Sequence, residues 1–177
     1  FLYVREALVD GVAVDQLAAQ MCERHTGVGA DGLIIYDHRR SAVTMRLLNA
    51  DGSRAEVSGN GVRALAALVL LDERDVEAEL VLETEAGPKA LTRTARQGAH
   101  QTFRASMGSP RHVKEVTLEA AGERVQAIVM DLGNPQCVVL GPLPDPGRFA
   151  RLGAAIESHP FFGNRTNVEF AAVEAPD

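Results

Sequence analysis

The feature that most constrains the fold of this chain is a helix candidate that is apolar on every face. It opens at an SGNG turn (residues 58–61) and continues after Arg63 as an unbroken apolar run over residues 64–71. A helix without a polar face is buried all round. We therefore expect strands to wrap this helix.

Further elements follow from apolar periodicity and from the turn residues between apolar runs. Strands are predicted at residues 1–4, 33–36, 43–48, 54–57, 80–84, 90–94, 102–107, 125–131, 136–140 and 167–173, and helices at residues 14–25 and 149–158. Residues 80–84 and 90–94 are predicted to pair as a hairpin.

A domain boundary is predicted near Pro110, because the pattern of strands and turns restarts beyond it. We assign residues 1–110 to a first domain and residues 111–177 to the start of a second. The chain begins at Phe1 rather than Met and stops just after an apolar strand-like run. We therefore expect a fragment of a longer chain, with the second domain incomplete.

Composition excludes several classes of protein. With 46% hydrophobic and 24% charged residues, the 177-residue chain resembles an average globular protein. A net charge of −6 argues against nucleic-acid binding, and no apolar run approaches the ~18 residues that span a membrane. Cys22 and Cys137 lie far apart and outside any metal or disulfide pattern. We expect no metal site and a cytoplasmic location.

The turn at Ser58 is a candidate binding or catalytic site. The first amides of a helix lack internal partners and carry partial positive charge, and the glycines at positions 59 and 61 would let a ligand approach closely. A carboxylate, a phosphate or a developing negative charge would suit this turn. The alternative is that Ser58 is an ordinary N-cap followed by turn glycines.

Three asparagines, Asn49, Asn134 and Asn167, lie at strand ends beside turns. Singly, each would be interpreted as a turn residue that bonds its own backbone. Their recurrence in three strand–turn units favours amide groups that converge on one polar ligand. Because an amide both donates and accepts hydrogen bonds, a zwitterionic amino acid would suit such a set.

The segment GVGADG at residues 27–32 has the spacing of a dinucleotide-binding fingerprint. A strand rather than a helix is predicted to follow it, so no helix N-terminus is available for a pyrophosphate. We interpret the glycines as sites of tight backbone packing.

The histidines and cysteines favour structural roles. His25 is predicted at a helix C-terminus, and the five histidines show no triad or metal spacing. Cys22 is predicted on the buried face of a helix and Cys137 in a strand core.

Five segments, in order, resemble motifs of the diaminopimelate epimerase family. They are GVGADG at 27–32, NADG at 49–52, SGNGVR at 58–63, MDLGNP at 130–135 with Cys137, and ESHP at 157–160 with NRTNVEF at 164–170. Together they span nearly the whole chain. Phe1 resembles the last residue of the family's opening His-Gly-Leu-Gly-Asn-Asp-Phe segment.

The resemblance implies an α/β (α+β) fold of two pseudo-symmetric domains, each with a curved mixed sheet around a central helix. It implies epimerisation of LL-diaminopimelate to meso-diaminopimelate for lysine and peptidoglycan synthesis. Two cysteines, one in each domain, exchange the α-proton, and no cofactor is needed. The implied partners are a small amino-acid substrate and a second copy in a homodimer, with no nucleic acid or membrane.

The resemblance also assigns roles to residues. Ser58 takes the position of the first catalytic cysteine. The implied substrate-binding residues are Asn49, Gly59, Asn60, Asn134 and Asn167.

Two residues depart from the family pattern. A serine hydroxyl at position 58 is far less acidic than a thiol and needs an adjacent base, and no such base is evident. Gln136 stands where the family usually has histidine, and it cannot titrate. The family's second cysteine segment lies beyond Asp177, so we expect this chain alone to be inactive.

Three hypotheses stay open. The first is a diaminopimelate epimerase. The second is a related racemase, epimerase or dehydratase that uses a Ser/Cys pair, as in the proline racemase branch. The third is a relative that binds an amino acid without catalysis, which Ser58 and Gln136 favour.

Overall fold

The computed structural model describes residues 1–39 and 42–174 and divides the chain into two compact units, Phe1–Met107 and Gly108–Asp177. The last three residues, at which the sequence analysis placed the end of a fragment, lie outside the described part. Each unit has its own sheet and its own apolar core.

The first unit is a seven-stranded mixed sheet with a helix against each face. Its elements are β1 (Leu2–Arg5), a 3-10 turn (Glu6–Leu8), α1 (Val14–Cys22), β2 (Gly32–Arg39), β3 (Ala42–Asn49), β4 (Arg54–Ala55), α2 (Gly59–Val69), β5 (Glu79–Glu83), β6 (Lys89–Gln97) and β7 (His100–Ala105). The strand order is β1-β2-β3-β5-β6-β7, with β4 paired to β3. The predicted hairpin is confirmed as antiparallel β5 and β6.

Strand β2 is continuously apolar over residues 33–36 because both of its faces are covered there. Leu33 and Ile35 belong to a core cluster with α1, whereas Ile34 and Tyr36 belong to the larger cluster with α2. Successive side chains of a strand point to opposite faces, so an unbroken apolar run suits a sheet between two helices.

The expectation that α2 is buried on every side is wrong. The helix buries Val62, Leu65 and Ala66 against the sheet, but Ala64 is exposed and Leu68 is 43% exposed. The sheet of the first unit lies along one face of α2, as for an amphipathic helix. The outer face of α2 is therefore apolar but exposed, which the apolar sequence alone did not reveal.

Helix α1 ends at Cys22 rather than at residue 25, because the glycine-rich loop caps it. The N–H groups of Val28 and Gly29 donate to Met21 O at 2.9 and 3.0 Å. A Cβ at Gly27 would collide with the carbonyl oxygen of Gln20. The loop amides therefore satisfy a helix C-terminus, which confirms the packing interpretation and places His25 in the turn beyond the helix.

The second unit is a four-stranded mixed sheet with one helix. Its elements are β8 (Arg111–Ala120), β9 (Glu123–Asp131), β10 (Pro135–Leu140), α3 (Pro146–Glu157) and β11 (Asn167–Ala171), in the sheet order β11-β10-β9-β8. Leu152 and Ile156 of α3 are fully buried with Cys137 of β10. The predicted fold class, curved mixed sheets with packed helices, is confirmed.

Strand β8 was not predicted. Its first five residues, from Arg111 to Glu115, are all exposed, and only Leu118 and Ala120 are buried. Val116, Leu118 and Ala120 do alternate with exposed residues, so the second half of β8 carries a period-2 signal that the prediction missed. In the part of the chain that the structure describes, no helix is long and apolar enough to cross a membrane.

Candidate active site

Ser58 is the N-cap of α2. Its backbone is extended, and its Oγ accepts a hydrogen bond from the Gly61 N–H at 3.2 Å. Gly59 and Asn60 follow in the first turn, where amides have no carbonyl partner inside the helix. The N-cap interpretation is confirmed, and the same geometry places the positive end of the helix dipole at this turn.

Arg63 brings a full positive charge to the same turn. Its guanidinium donates a hydrogen bond to Asn60 Oδ1, and one guanidinium nitrogen lies 3.3 Å from where a Cβ would stand at Gly59. Residues three apart are neighbours on a helix surface, so the spacing could have signalled this contact. In the sequence, Arg63 was assigned no role beyond its place in the SGNGVR motif.

Tyr3 of β1 contacts the first turn from the sheet side. Its hydroxyl donates to Gly61 O at 3.3 Å, and burial raises the pKa of the phenol. Within residues 1–39 and 42–174, no carboxylate or imidazole hydrogen-bonds to Ser58 Oγ. The turn therefore offers an electropositive surface and a hydroxyl without an adjacent base.

Asn49 is the last residue of β3, at the start of the turn that leads to β4. Its Nδ2 donates to Ser53 Oγ at 3.0 Å, and Ser53 Oγ donates to Asp51 Oδ1 at 2.6 Å. The Gly52 N–H donates to Asn49 O at 3.0 Å, and this bond closes the turn. The Asn49 side chain thus bonds another side chain of the turn, Ser53, where a bond to its own backbone was considered. Its role in substrate binding stays a prediction.

The second unit brings Asn134 and Asn167 together at one end of β10 and β11. Gln136 and Asn167 are register partners in these parallel strands. Gln136 Nε2 donates to Asn134 Oδ1 at 2.7 Å, and Asn167 Nδ2 donates to Pro135 O at 3.3 Å. Two of the three predicted asparagines therefore share one cluster, which also includes Gln136.

The turn before β10 is held by Asp131. Its Oδ1 accepts a hydrogen bond from the Gly133 N–H at 2.6 Å. That bond, together with the charge of Arg111, lowers the pKa of Asp131. The carboxylate fixes the backbone that presents Asn134.

Neither cysteine has the environment of a nucleophile. Cys137 is fully buried, and desolvation raises the pKa of its thiol to about 11, with a smaller contribution from Glu169. Cys22 is also buried, and its pKa is raised by desolvation. The predicted core roles of both are confirmed. In the described ranges, no group of His, Cys, Asp or Glu side chains could hold a metal ion.

Comparison with solved structures defines the class of fold. The chain is similar to a probable proline racemase from Agrobacterium radiobacter K84, with a TM-score of 0.60 and 18% identity over 81% of this chain and 42% of that one. A hydroxyproline epimerase from Agrobacterium vitis gives a TM-score of 0.58 and 18% identity over 79% and 45% of the two chains. The chain therefore shares a fold with this racemase and this epimerase, and at such identity the likeness shows the fold alone.

Sequence comparison narrows the class to one family. The profile of the family described as "Diaminopimelate epimerase" matches residues 3–113, and the chain belongs to that family. It is 38% identical to the diaminopimelate epimerase of Pelotomaculum thermopropionicum, over 91% of this chain and 62% of that protein. With the enzyme of Heliobacterium modesticaldum it shares 36% identity, over 96% and 66%. The chain thus spans about three fifths of the first of these curated relatives.

Proposed function

We propose that the protein to which this chain belongs epimerises LL-diaminopimelate to meso-diaminopimelate, a step of lysine and peptidoglycan precursor synthesis. Family membership supports the reaction type. The observation that carries the proposal is the electropositive first turn of α2. By resemblance, Ser58, Gly59 and Asn60 of this turn correspond to the family's first catalytic segment. A homodimer and a cytoplasmic location are further predictions.

The first turn of α2 would act on the charge of the substrate. Amides at a helix N-terminus stabilise a carboxylate in the ground state and the negative charge that develops when the α-proton leaves. The Arg63 guanidinium, beside Gly59, strengthens the same field. The polar cluster of Asn134 and Asn167 would hold the amino-acid groups through amide hydrogen bonds.

Ser58 limits proton transfer in this chain. Its Oγ is the cap acceptor for Gly61, and no base hydrogen-bonds to it among the described side chains. A hydroxyl without a base is a poor proton acceptor near neutral pH. Because the family's second cysteine segment is also not among these 177 residues, we expect the chain to bind the amino acid without turnover.

A second candidate is a relative that binds an amino acid without catalysis. The cap geometry of Ser58 favours it, because a serine that serves as a cap meets a structural need without any proton transfer. The two candidates differ for the full-length protein, since only the epimerase exchanges the substrate α-hydrogen with solvent. A related racemase or dehydratase with a Ser/Cys pair would also exchange an α-hydrogen with solvent, but the hydrogen of a different substrate.

Two measurements test the proposal. Isothermal calorimetry with LL-diaminopimelate should detect binding to the natural chain, weakened about tenfold or more by Asn134→Leu, since a lost hydrogen bond to a charged group costs about 1.5–3 kcal/mol. Asn164→Leu is the matched control, because Asn164 is exposed and lies outside the cluster. The full-length protein in D₂O should incorporate deuterium at the α-carbon.

The outcomes separate the candidates. Binding with no deuterium incorporation by the full-length protein would establish the non-catalytic relative. Exchange with proline but not with diaminopimelate would favour the Ser/Cys racemase. Equal weakening by Asn134→Leu and Asn164→Leu would exclude Asn134 as a ligand.

A further inference from the structure

The cluster of Asn134, Gln136 and Asn167 has a defined polarity. An asparagine side chain has one accepting and one donating end, and the partner of one end decides which end faces outward. The Asn167 amide group donates to Pro135 O, and a backbone carbonyl can only accept. The Nδ2 end of Asn167 is therefore directed inward, and its Oδ1 is the end left for a ligand.

Gln136 imposes the opposite orientation on Asn134. Its Nε2 donates to Asn134 Oδ1 at 2.7 Å, in a half-buried position. With Oδ1 held by Gln136, the Nδ2 group of Asn134 is the end left for a ligand. The cluster thus presents a donor from the turn before β10 and an acceptor from the start of β11.

The two outward ends lie close together because of strand register. Gln136 and Asn167 are partners in parallel strands, so their side chains lie on the same face of the sheet. Asn134 reaches that face through its bond to Gln136. Glu169, two residues beyond Asn167 in β11, has its side chain on this face too and adds acceptor character on the β11 side.

We propose that Gln136 is a positioning residue that sets substrate polarity: it orients Asn134 as a donor to a carboxylate, beside Asn167 as an acceptor from an ammonium group. The inference rests on the proposed function, because it deepens the amino-acid site described there. It assigns a role to a side chain that cannot titrate, so the orientation of Asn134 does not depend on pH.

The first test reads the orientation without any ligand. Nuclear magnetic resonance of the natural chain should show protected side-chain N–H protons on Gln136 and freely exchanging ones on Asn134. Gln136→Glu should reverse this, since a carboxylate only accepts and would draw Asn134 Nδ2 inward. Protected Asn134 protons and free Gln136 protons in the natural chain would overturn the proposal.

The second test measures binding of LL-diaminopimelate by calorimetry. Gln136→Glu should weaken binding about tenfold or more, and Gln136→Met should weaken it less, because Asn134 is then unrestrained rather than reversed. Gln126→Glu is the matched control, since it adds the same charge at an exposed position of β9 without contacting Asn134. Equal binding by the natural chain and Gln136→Glu, or equal loss in Gln126→Glu, would overturn the proposal.

The two tests fail separately. If the natural chain does not bind diaminopimelate, the proposed function is wrong for this chain. The nuclear magnetic resonance test still decides the orientation of the Asn134 side chain. If the natural chain binds and the Gln136 variants bind equally well, the proposed function stands and the role of Gln136 is wrong. Gln136→Met, which adds no charge, keeps the test valid if Gln136→Glu does not fold.

Discussion

Ser58 lies at the point where the field of α2 is strongest, and its hydroxyl accepts a hydrogen bond from the Gly61 N–H. This field lowers the pKa of an acidic group placed there. A hydroxyl has a pKa too high to benefit near neutral pH, whereas a thiol with an ordinary pKa of about 8.5 would benefit. The position is therefore suited to acid–base chemistry that its present side chain cannot perform.

Replacing Ser58 with cysteine should create one reactive thiol in the chain. The α2 N-terminus and Arg63 both favour the thiolate, so we expect its pKa to fall to about 7. Labelling by iodoacetamide should then reach half its maximal rate at a lower pH than in Ser109→Cys, an exposed control outside any helix. Buried Cys22 and Cys137, with raised pKa values, should label slowly in both variants.

Identical pH profiles for Ser58→Cys and Ser109→Cys would show that the turn at α2 exerts no effective field. That result would also remove the main physical support for an anion site there. The Ser58→Cys chain should still fail to exchange substrate hydrogen, because the family's second cysteine segment is not among its residues.

Single residues were predicted well where their neighbours in sequence determine the role. The N-cap at Ser58 and the turn at Asn49 follow from local backbone geometry. Gln136 was noticed only as a departure from the family pattern. Its bond to Asn134 depends on side-chain rotamers that sequence spacing does not fix.

At the scale of elements, α2 is fixed at both ends by different means. Its N-terminus is capped by Ser58, whereas its C-terminal carbonyls receive donors from the β6–β7 hairpin. Arg93 is fully buried and donates to Leu70 O at 2.9 Å and to Gln101 Oε1 at 2.7 Å, while Gln101 Nε2 donates to Ala67 O at 2.9 Å. Cations are favourable near a helix C-terminus. The hairpin therefore holds the helix that carries the candidate site.

Replacing Arg93 with methionine should destabilise the first unit by about 3 kcal/mol. The change leaves buried acceptors, including Leu70 O and Gln101 Oε1, without their donor, and each such group costs about 1–3 kcal/mol. Urea unfolding of the whole chain measures the loss. Arg104→Met on exposed β7 is the control and should change the free energy of unfolding by less than about 0.5 kcal/mol.

A loss of unfolding free energy in Arg93→Met no larger than in Arg104→Met would show that the guanidinium network does not stabilise the hairpin–helix contact.

Arg93 was not identified from the sequence, because a charged residue in a strand is ordinarily predicted to be exposed. Strand β3, which alternates over most of its length, was predicted closely, whereas β8, exposed over its first half, was missed.

At the scale of the whole molecule, the two units differ in how completely their sheets are covered. In the first unit, core clusters lie on both faces of the sheet and contain only residues from Phe1–Met107. The second unit has one described cluster, built by α3 on one face of four strands. Small domains bury a smaller fraction of their surface and are marginally stable.

We expect residues 1–107 to fold when expressed alone. Circular dichroism during urea unfolding should show a single cooperative transition, because the core clusters on both faces of the sheet are built from this unit's own residues. Residues 1–71 are the control: they lack β5, β6 and β7, which complete the core around α2, and should not unfold cooperatively. A non-cooperative transition for residues 1–107 would contradict the independence of this unit.

The sequence by itself determined the order of most helices and strands, the turn chemistry, the core roles of Cys22 and Cys137, and the resemblance to one family. These features depend on periodicity and on residues close together in the chain. Only the tertiary structure decided which face of α2 is buried, that Arg93 lies inside the first unit, and how Gln136 orients Asn134. Each of these depends on groups brought together by packing and strand register, which local sequence does not specify.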